Sequence, residues 1–220
     1  MEELAVKEAL LYTFVSRKWA AKILTILLLL FVPILGWFVV YGYFAKILKS
    51  WSEKKHELPP FSGFFGMFTL GFYLFVIALI IGVISFILKN IPFLGYILTF
   101  AWGILSFFFT PYMVSCIATT GTLSKETFNT KKIVNFVGDN ILKLLFLLVL
   151  MIVCWVILAL IVAPFFIGFG LWLANDGSFV AGKFVIVALG MLVALLGAIY
   201  ISFVKFALIW NIYSQWMEKQ

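Results

Sequence analysis

The sequence predicts an all-α, polytopic helical bundle that is integral to a membrane. Hydrophobic residues make up 65% of its 220 positions and charged residues only 11%, whereas soluble domains average about 45–50% and about 25%. The mean hydropathy is correspondingly high, at +1.18. The apolar residues form five long continuous runs without the alternation that marks the strands of a membrane barrel. We therefore expect a single membrane domain over residues 1–220.

Residues 3–18 are predicted to form an amphipathic helix that lies at the membrane interface. Acidic residues open the chain, and neither a basic cluster nor a small-x-small pattern accompanies the first apolar run, so we expect no secretory signal. Arg17, Lys18 and Trp19 follow the helix and suit the headgroup level. The residues expected to share one side of this helix are Leu4, Ala5, Glu8, Leu11, Tyr12 and Val15.

The first apolar run, residues 22–45, is interrupted near its middle by Pro33 and Gly36. Proline removes an amide donor and disrupts a helix interior, and glycine can adopt the positive φ of a chain reversal. Each half of the run would form about 15 Å of helix, which is half of a hydrocarbon core of roughly 30 Å. The run is therefore predicted to be a re-entrant hairpin, with a kinked spanning helix as the alternative.

The distribution of Lys and Arg favours the hairpin. If all five runs crossed the membrane, the 16 basic residues would divide six to ten between its two sides. If the first run re-enters, only Lys89 and Lys183 stand opposite the other 14. Because cytoplasmic loops carry the excess of positive charge, we predict that both termini are cytoplasmic. We expect the protein to reside in the cytoplasmic membrane.

The other four runs are predicted to be transmembrane helices, since each reaches the length of about 20 residues that a bilayer requires. They cover residues 64–88, 93–118, 141–173 and 184–204, separated by polar stretches at 49–62 and 119–140 and a Gly-rich turn at 175–183. Two of them carry small residues at every fourth position, which predicts close helix packing within the chain or between protomers. These residues are Gly95, Thr99 and Gly103, and Gly190, Ala194, Ala198 and Ser202.

A motif in the first third of the chain resembles a known family. It reads Pro-x-x-Gly, then Gly-Tyr, a short polar loop with Leu-Pro-x-Phe, and a Phe and a Gly that open the next run. This order is similar to an uncharacterised archaeal and bacterial family of small polytopic membrane proteins, a domain of unknown function, over residues 10–75. The resemblance implies a membrane bundle and supplies no activity. Pro60 stands where the family often has an acid, so no role of that acid transfers. The matching positions are Pro33, Gly36, Gly42, Tyr43, Leu58, Pro59, Phe61, Phe68 and Gly71.

The pattern of reactive residues does not favour an enzyme. Every Asp and Glu lies in a predicted terminus, loop or end of a run, whereas acid–base chemistry needs converging ionisable groups. His56 is the only histidine and has no array of metal ligands to join. Cys116 and Cys154 fall inside apolar runs and are expected to be buried thiols. We expect no cofactor and no metal, and we assign the net charge of +7 to contacts with anionic lipids, not with nucleic acid.

Two functions remain open. The favoured one is a non-catalytic scaffold or accessory protein that interacts with lipids, with another membrane protein or with a second copy of itself. The alternative is a passage for an uncharged or lipidic solute, because broken helices recur in transporters. A passage predicts a polar cavity beside Pro33 and Gly36. Lys205, near the end of the last run, is expected to reach the interface with its long stem. The residues expected to line the passage are Tyr41, Tyr43, Thr99 and Ser106.

Overall fold

The computed structural model describes residues 6–15, 18–52, 58–175 and 181–219. These residues form seven α-helices and one short 3-10 turn, and no strand occurs among them. The helices are α1 (Val6–Val15), α2 (Trp19–Leu30), α3 (Leu35–Ser52), α4 (Phe64–Lys89), α5 (Gly95–Thr120), α6 (Thr130–Asn175) and α7 (Ala181–Met217), with the 3-10 turn at Lys125–Phe128. The prediction of an all-α protein is confirmed.

Four helices in the described part of the chain are long and apolar enough to cross a membrane. The qualifying segments are Phe64–Lys89, Gly95–Thr120, Thr130–Gly168 and Val185–Met217. Only 11–28% of the residues in their most apolar windows are buried inside the protein. Exposed apolar surface of this extent is incompatible with water and typical of helices that face lipid. The structure thus bears out a bundle with four long apolar helices.

Helix α6 begins earlier than the sequence suggested. Residues 130–140 were expected to belong to a polar connection, but they form the first turns of α6. Ile133, Phe136 and Asn140 are buried along one side, and this spacing of three and four residues defines an amphipathic helix. The Phe136 ring packs 5.7 Å from that of Tyr112 in α5 and 5.5 Å from that of Trp216 in α7. Tertiary burial of one face therefore stabilises the polar first turns of an otherwise apolar helix.

Helix α7 contains the predicted run at residues 184–204, and the lack of a helix breaker after that run predicts the continuation that the structure shows. It continues unbroken to Met217, because residues 205–217 contain no proline or glycine that would end it. Trp210, Tyr213 and Trp216 of this extension are buried. The Gly-rich turn predicted at 175–183 falls largely on residues 176–180, which lie outside the described ranges.

The first apolar run forms a helical hairpin. Helix α2 ends at Leu30, α3 begins at Leu35, and Ile34 between them has a φ of +63°. Lys22 in α2 and Lys46 in α3 would lie roughly 36 Å apart along one continuous helix. Instead, the Lys22 ammonium donates to the carbonyl of Leu58, and the Lys46 ammonium donates to that of Pro60. The two arms therefore run antiparallel, and their outer ends meet at one segment.

The same turn occurs between α4 and α5. Residues 32–36 read Val-Pro-Ile-Leu-Gly and residues 91–95 read Ile-Pro-Phe-Leu-Gly, and the residue after each proline has a φ of +63°. In both turns the amide of the leucine donates to the proline carbonyl, at 2.6 Å and 2.7 Å, and the glycine amide donates to the residue before the proline. Similar local sequences thus produce two similar reversals, one in a short hairpin and one between two long helices.

Helices α3 and α4 touch through their backbones. A Cβ atom on Gly42 would overlap the Met67 carbonyl group and lie 2.8 Å from the Met67 Cα. A Cβ atom on Gly71 would overlap the Phe38 carbonyl and lie 2.9 Å from the Gly42 amide nitrogen. Only glycine fits at these two positions, because close approach of two helix backbones leaves no room for a side chain.

Helix α3 is held on its other side by α7. The Phe44 ring stacks on Phe206 with ring centroids 5.0 Å apart and lies 5.6 Å from Phe203 in an edge contact. Phe203 is fully buried, and the buried Tyr43 ring lies 6.5 Å from it. The hairpin is therefore fixed between α4 and α7 by glycine contacts on one face and aromatic contacts on the other.

Helix α1 packs on α7 through residues other than those predicted to share one side of an interfacial helix. The buried residues are Ala9 and Thr13, whereas Glu8 and Leu11 of the predicted side are exposed. The small side chains of Ala9 and Thr13 allow α1 close to α7, where the Tyr200 hydroxyl donates to the Leu10 carbonyl at 2.8 Å. The rest of the predicted group lies outside the description, namely Leu4, Ala5 and the side chains of Tyr12 and Val15, as does Arg17.

Candidate functional site

Residues 58–62, here called the clamp segment, bind both arms of the α2–α3 hairpin. The Tyr43 hydroxyl donates to the Pro59 carbonyl at 2.9 Å, and its ring stacks on Phe61 with centroids 4.1 Å apart. The Lys46 ammonium donates to the Pro60 carbonyl at 3.1 Å and the Ser62 carbonyl at 2.8 Å. Proline has no amide hydrogen and disfavours a helix, so the carbonyls of this segment are left to accept bonds from side chains.

Burial lowers the pKa of the Lys46 ammonium group, and the nearby charge of Lys49 lowers it further. Three acceptors from the clamp segment compensate for this cost: the carbonyls of Pro60 and Ser62 and the Ser62 hydroxyl at 3.2 Å. Hydrogen bonds from a charged donor are stronger than neutral ones. The clamp segment thus holds the outer ends of the two hairpin helices together.

The motif residues from the sequence fall into three places. Pro33 and Gly36 form the hairpin turn, where a Cβ on Gly36 would lie 2.8 Å from the Leu29 carbonyl carbon. Gly42 and Gly71 form the α3–α4 backbone contact. Tyr43, Leu58, Pro59 and Phe61 meet at the clamp segment, and Leu58 and Tyr43 are buried. The described residues of the motif therefore build and fix the hairpin.

A lateral opening runs along α5, between α4 on one side and α6 and α7 on the other. It consists of three adjoining cavities of about 400, 630 and 500 Å³, and Phe107 lines all of them. We call it the α5 groove. Its walls include Gly82 and Lys89 of α4, Thr99, Gly103, Ser106, Phe107 and Thr110 of α5, Leu148 and Trp155 of α6, and Lys205 of α7.

The walls of the α5 groove are mainly apolar and unfilled. Apart from the chain neighbours and the local helix backbone, no atom of the described residues lies within 4 Å of the position of a Cβ on Gly82 or Gly103. The hydroxyl groups on the wall are already bonded to their own helix, Thr99 to the Gly95 carbonyl at 2.7 Å and Ser106 to the Gly103 carbonyl at 2.9 Å. The groove therefore suits an apolar occupant.

Lys205 is the charged residue on the α7 wall of the groove. It lines two of the three cavities, and α7 side chains lean toward the helix N-terminus. Within the described part of the chain, no hydrogen bond or ion pair of Lys205 occurs, and no Asp or Glu lines the cavities. Lys205 thus places a positive charge beside apolar walls, with Lys89 at the other end of the groove, whereas the sequence suggested only that Lys205 extends to the interface.

The two small-residue stripes have different surroundings. Gly95 lies at the α4–α5 turn, where an added Cβ would be 2.9 Å from the Lys89 carbonyl carbon. Thr99 and Gly103 line the α5 groove. On α7, a Cβ on Gly190 would lie 2.7 Å from the Phe165 Cβ of α6. Further along, Ala198 and Ser202 line a cavity of about 330 Å³ beside the hairpin residues Trp37 and Tyr41, and Ala194 is partly buried. Within the α7 stripe, Gly190 thus contacts α6, while Ala198 and Ser202 border a cavity.

The residues predicted to line a passage do not converge. Tyr43 is buried at the clamp segment, Tyr41 lines the cavity beside Trp37, and Thr99 and Ser106 line the α5 groove. Sequence reasoning placed all four in one cavity because it could not tell which faces of α3 and α5 point toward each other. The signal that could have indicated the groove is Lys205, a lone charge within a long apolar segment.

Two of the described acids, Glu126 and Asp139, make structural contacts. Glu126 pairs with Lys132 at the start of α6. Asp139 accepts a hydrogen bond from the Trp216 indole at 3.0 Å, and the adjoining Lys143 ammonium donates to the Gln215 side chain. Within the described ranges, no three His, Cys, Asp or Glu side chains are grouped so that they could hold a metal ion. His56 lies outside those ranges.

The fold and the groove define a polytopic helical membrane protein with four long apolar helices and a shorter hairpin. The family model described as "Protein of unknown function (DUF4013)" matches residues 25–167, and the chain belongs to this family. The match includes the hairpin turn, the clamp segment and the α5 wall of the groove; it excludes residues 10–24 of the resemblance and Lys205, and it continues well past residue 75. No curated protein and no solved structure matches the chain.

Proposed function

We propose that the protein is a non-catalytic membrane scaffold or accessory protein that interacts with lipids and with other membrane proteins. The observation that carries this proposal is the open α5 groove. Small residues on a membrane helix favour close contact with another apolar surface, and none of the described residues fills the space over Gly82 and Gly103. Since a void beside lipid has no stabilising contacts, an outside molecule occupies this space.

The proposal includes a topology in which the α2–α3 hairpin enters the membrane and returns on the same side. Helix α2 has 12 residues and measures roughly 18 Å, which is shorter than the hydrocarbon core of roughly 30 Å. Its first turn and the last turns of α3 both bind the clamp segment. Together with the predicted distribution of basic residues, this supports cytoplasmic termini in the cytoplasmic membrane.

The hairpin turn is built for an apolar environment. Phe31 and Ile34 are 75% and 63% exposed, so lipid would contact them. The amides of Phe31, Val32, Leu35 and Gly36 donate to nearby carbonyls. The Leu30 carbonyl accepts the Trp37 indole N–H at 3.2 Å, which gives this polar group a partner inside the membrane. Backbone groups that are satisfied locally allow a turn at membrane depth.

The alternative function, a passage for an uncharged or lipidic solute, has one supporting observation. The cavity of about 330 Å³ between the hairpin and α7 lies beside the turn and reaches Trp37, Tyr41 and Ser202. Its other lining residues are apolar, and the polar side chains expected in a passage lie elsewhere. The scaffold is therefore the better-supported proposal, and the positive net charge is assigned to lipid headgroups instead of nucleic acid.

Flux measurements separate the two functions. In reconstituted phosphatidylcholine vesicles, we expect the protein to leave the rates of glycerol entry and of fluorescent phospholipid exchange between leaflets equal to those of protein-free vesicles. The physical reason is that the cavity between the hairpin and α7 is lined mainly by apolar side chains, and the polar side chains expected to line a passage do not converge there. Flux above background that Ala198→Phe reduces, while the lipid-facing Ala101→Phe leaves it unchanged, would establish a passage and reject the scaffold.

A further inference from the structure

We propose that the α5 groove binds a membrane phospholipid with an anionic headgroup, whose charge pairs with Lys205 and whose acyl chain lies along Phe107 and Leu148. The inference rests on the proposed function, because it names the molecule that fills the groove. It commits to a lipid as the occupant, and a second copy of the chain or another helix is an alternative that the experiments below distinguish.

Charge is the first argument. Lys205 lines two of the cavities, no Asp or Glu lines them, and Lys205 forms no hydrogen bond or ion pair with the described residues. An ionisable group inside a membrane segment is costly unless it has a partner. A phosphate group from a lipid supplies this partner, and an apolar helix does not.

Shape is the second argument. The groove follows α5 from Tyr96 to Pro111, which corresponds to roughly 22 Å of helix. This length exceeds the roughly 15 Å of hydrocarbon in one leaflet, so an extended acyl chain fits along it. Phe107 links the three cavities, and Leu148 continues the apolar wall on α6. A charged end followed by a narrow apolar path matches an anionic amphiphile.

Lys89 is the second lysine on the groove wall, so it can be compared with Lys205 as the partner of the lipid headgroup. It lines the cavity at the other end of the groove, with Tyr96 and Thr99, but it is an exposed residue in the last turn of α4. Water and headgroups at that helix end can solvate it. Lys205 has apolar residues such as Met151 and Ile152 around it in its cavity, so the groove lipid is expected to depend on Lys205 more than on Lys89.

The test is fluorescence quenching by a lipid with brominated acyl chains. Trp155 shares a cavity with Lys205, and the difference between the natural protein and Trp155→Phe isolates its signal. In phosphatidylcholine vesicles, we expect brominated phosphatidylglycerol to quench Trp155 more strongly than brominated phosphatidylcholine. Lys205→Met should lower this preference by about fivefold, the effect of losing one basic contact near an anionic lipid. Lys131→Met, at an exposed position in the polar start of α6, should leave the preference unchanged.

A second pair of variants tests the space without changing charge. At both Gly103 and Gly66, an added Cβ would meet no described atom within 4 Å apart from its chain neighbours and the local helix backbone, but only Gly103 lines the groove, so Gly103→Leu and Gly66→Leu form a matched pair. We expect Gly103→Leu to abolish the phosphatidylglycerol preference and Gly66→Leu to retain it. Both proteins should stay monodisperse in detergent, which shows that loss of folding is not the cause.

Two outcomes would overturn the lipid site. The first concerns Lys205: the preference for phosphatidylglycerol is equal in the natural protein and Lys205→Met, or it depends on Lys89 alone. The other is a change from dimer to monomer in Gly103→Leu without any loss of lipid preference, which would assign the groove to a second copy. Either outcome leaves the scaffold proposal standing, since only solute flux rejects it.

Discussion

Gly42→Ala should prevent the chain from reaching its folded state. The added Cβ would overlap the Met67 carbonyl of α4 and lie 2.8 Å from the Met67 Cα. These are backbone atoms of a helix, so they cannot rotate away as a side chain does. Overpacking of a core costs about 1–3 kcal/mol when side chains can adjust, and we expect at least the upper value here. The measurement is the yield of monodisperse protein in mild detergent, followed by its thermal unfolding.

Gly66→Ala is the matched control for this variant. Gly66 is in the first turn of α4, directly before Met67, and apart from its chain neighbours and the local helix backbone no described atom comes within 4 Å of its Cβ position. Alanine favours a helix over glycine by about 1 kcal/mol, so this variant should be as stable as the natural protein or more so. Equal yield and equal unfolding temperature for Gly42→Ala would show that α3 and α4 do not pack backbone to backbone.

Phe203→Ala should destabilise the protein by about 3 kcal/mol, at the lower end of values for large-to-small changes in cores. Phe203 is fully buried and joins both Tyr43 and Phe44 of the hairpin to α7. Its removal leaves a cavity between helices that interact through packing more than through exclusion of water. Unfolding in mixed detergent and dodecyl sulfate micelles, followed by far-ultraviolet circular dichroism, gives the free energy.

The control for Phe203→Ala is Phe86→Ala. Phe86 lies on α4 with 70% of its surface exposed, so lipid or detergent replaces its contacts and the free energy of unfolding should change little. Equal effects of the two variants would mean that the aromatic contacts between the hairpin and α7 do not stabilise the fold.

The long helices and the hairpin could be predicted from the sequence because their causes are local. Run length and hydropathy set the spans of α4 and α5 within about two residues. Pro33 marks the hairpin turn, but the positive φ expected at Gly36 occurs at Ile34, and Gly36 instead lies against the Leu29 carbonyl, where a Cβ would not fit. The same local pattern recurs in the sequence as Ile-Pro-Phe-Leu-Gly at 91–95. The all-α class follows from the same continuous runs.

The faces of the helices could not be predicted, because in a membrane both the buried and the lipid-facing sides are apolar. Ala9 and Thr13 were missed as the packing side of α1, since small size and not hydropathy brings them close to α7. Thr99 and Gly103 carry the same spacing as Gly190 and Ala194, yet they line an open groove while Gly190 contacts Phe165. Whether a stripe of small residues packs against another helix or lines an open groove depends on where the neighbouring helices lie.

The most direct test of the account is the side of the membrane on which each end of the hairpin lies. Single cysteines replace Lys18, Ser62 or Asn90, all exposed, in a protein with Cys116→Ala and Cys154→Ala, and an impermeant maleimide is added to intact and to lysed cells. The account predicts that positions 18 and 62 react only after lysis and that position 90 reacts in intact cells. Labelling of positions 18 and 62 from opposite sides would show that the first apolar run crosses the membrane and would contradict the re-entrant hairpin.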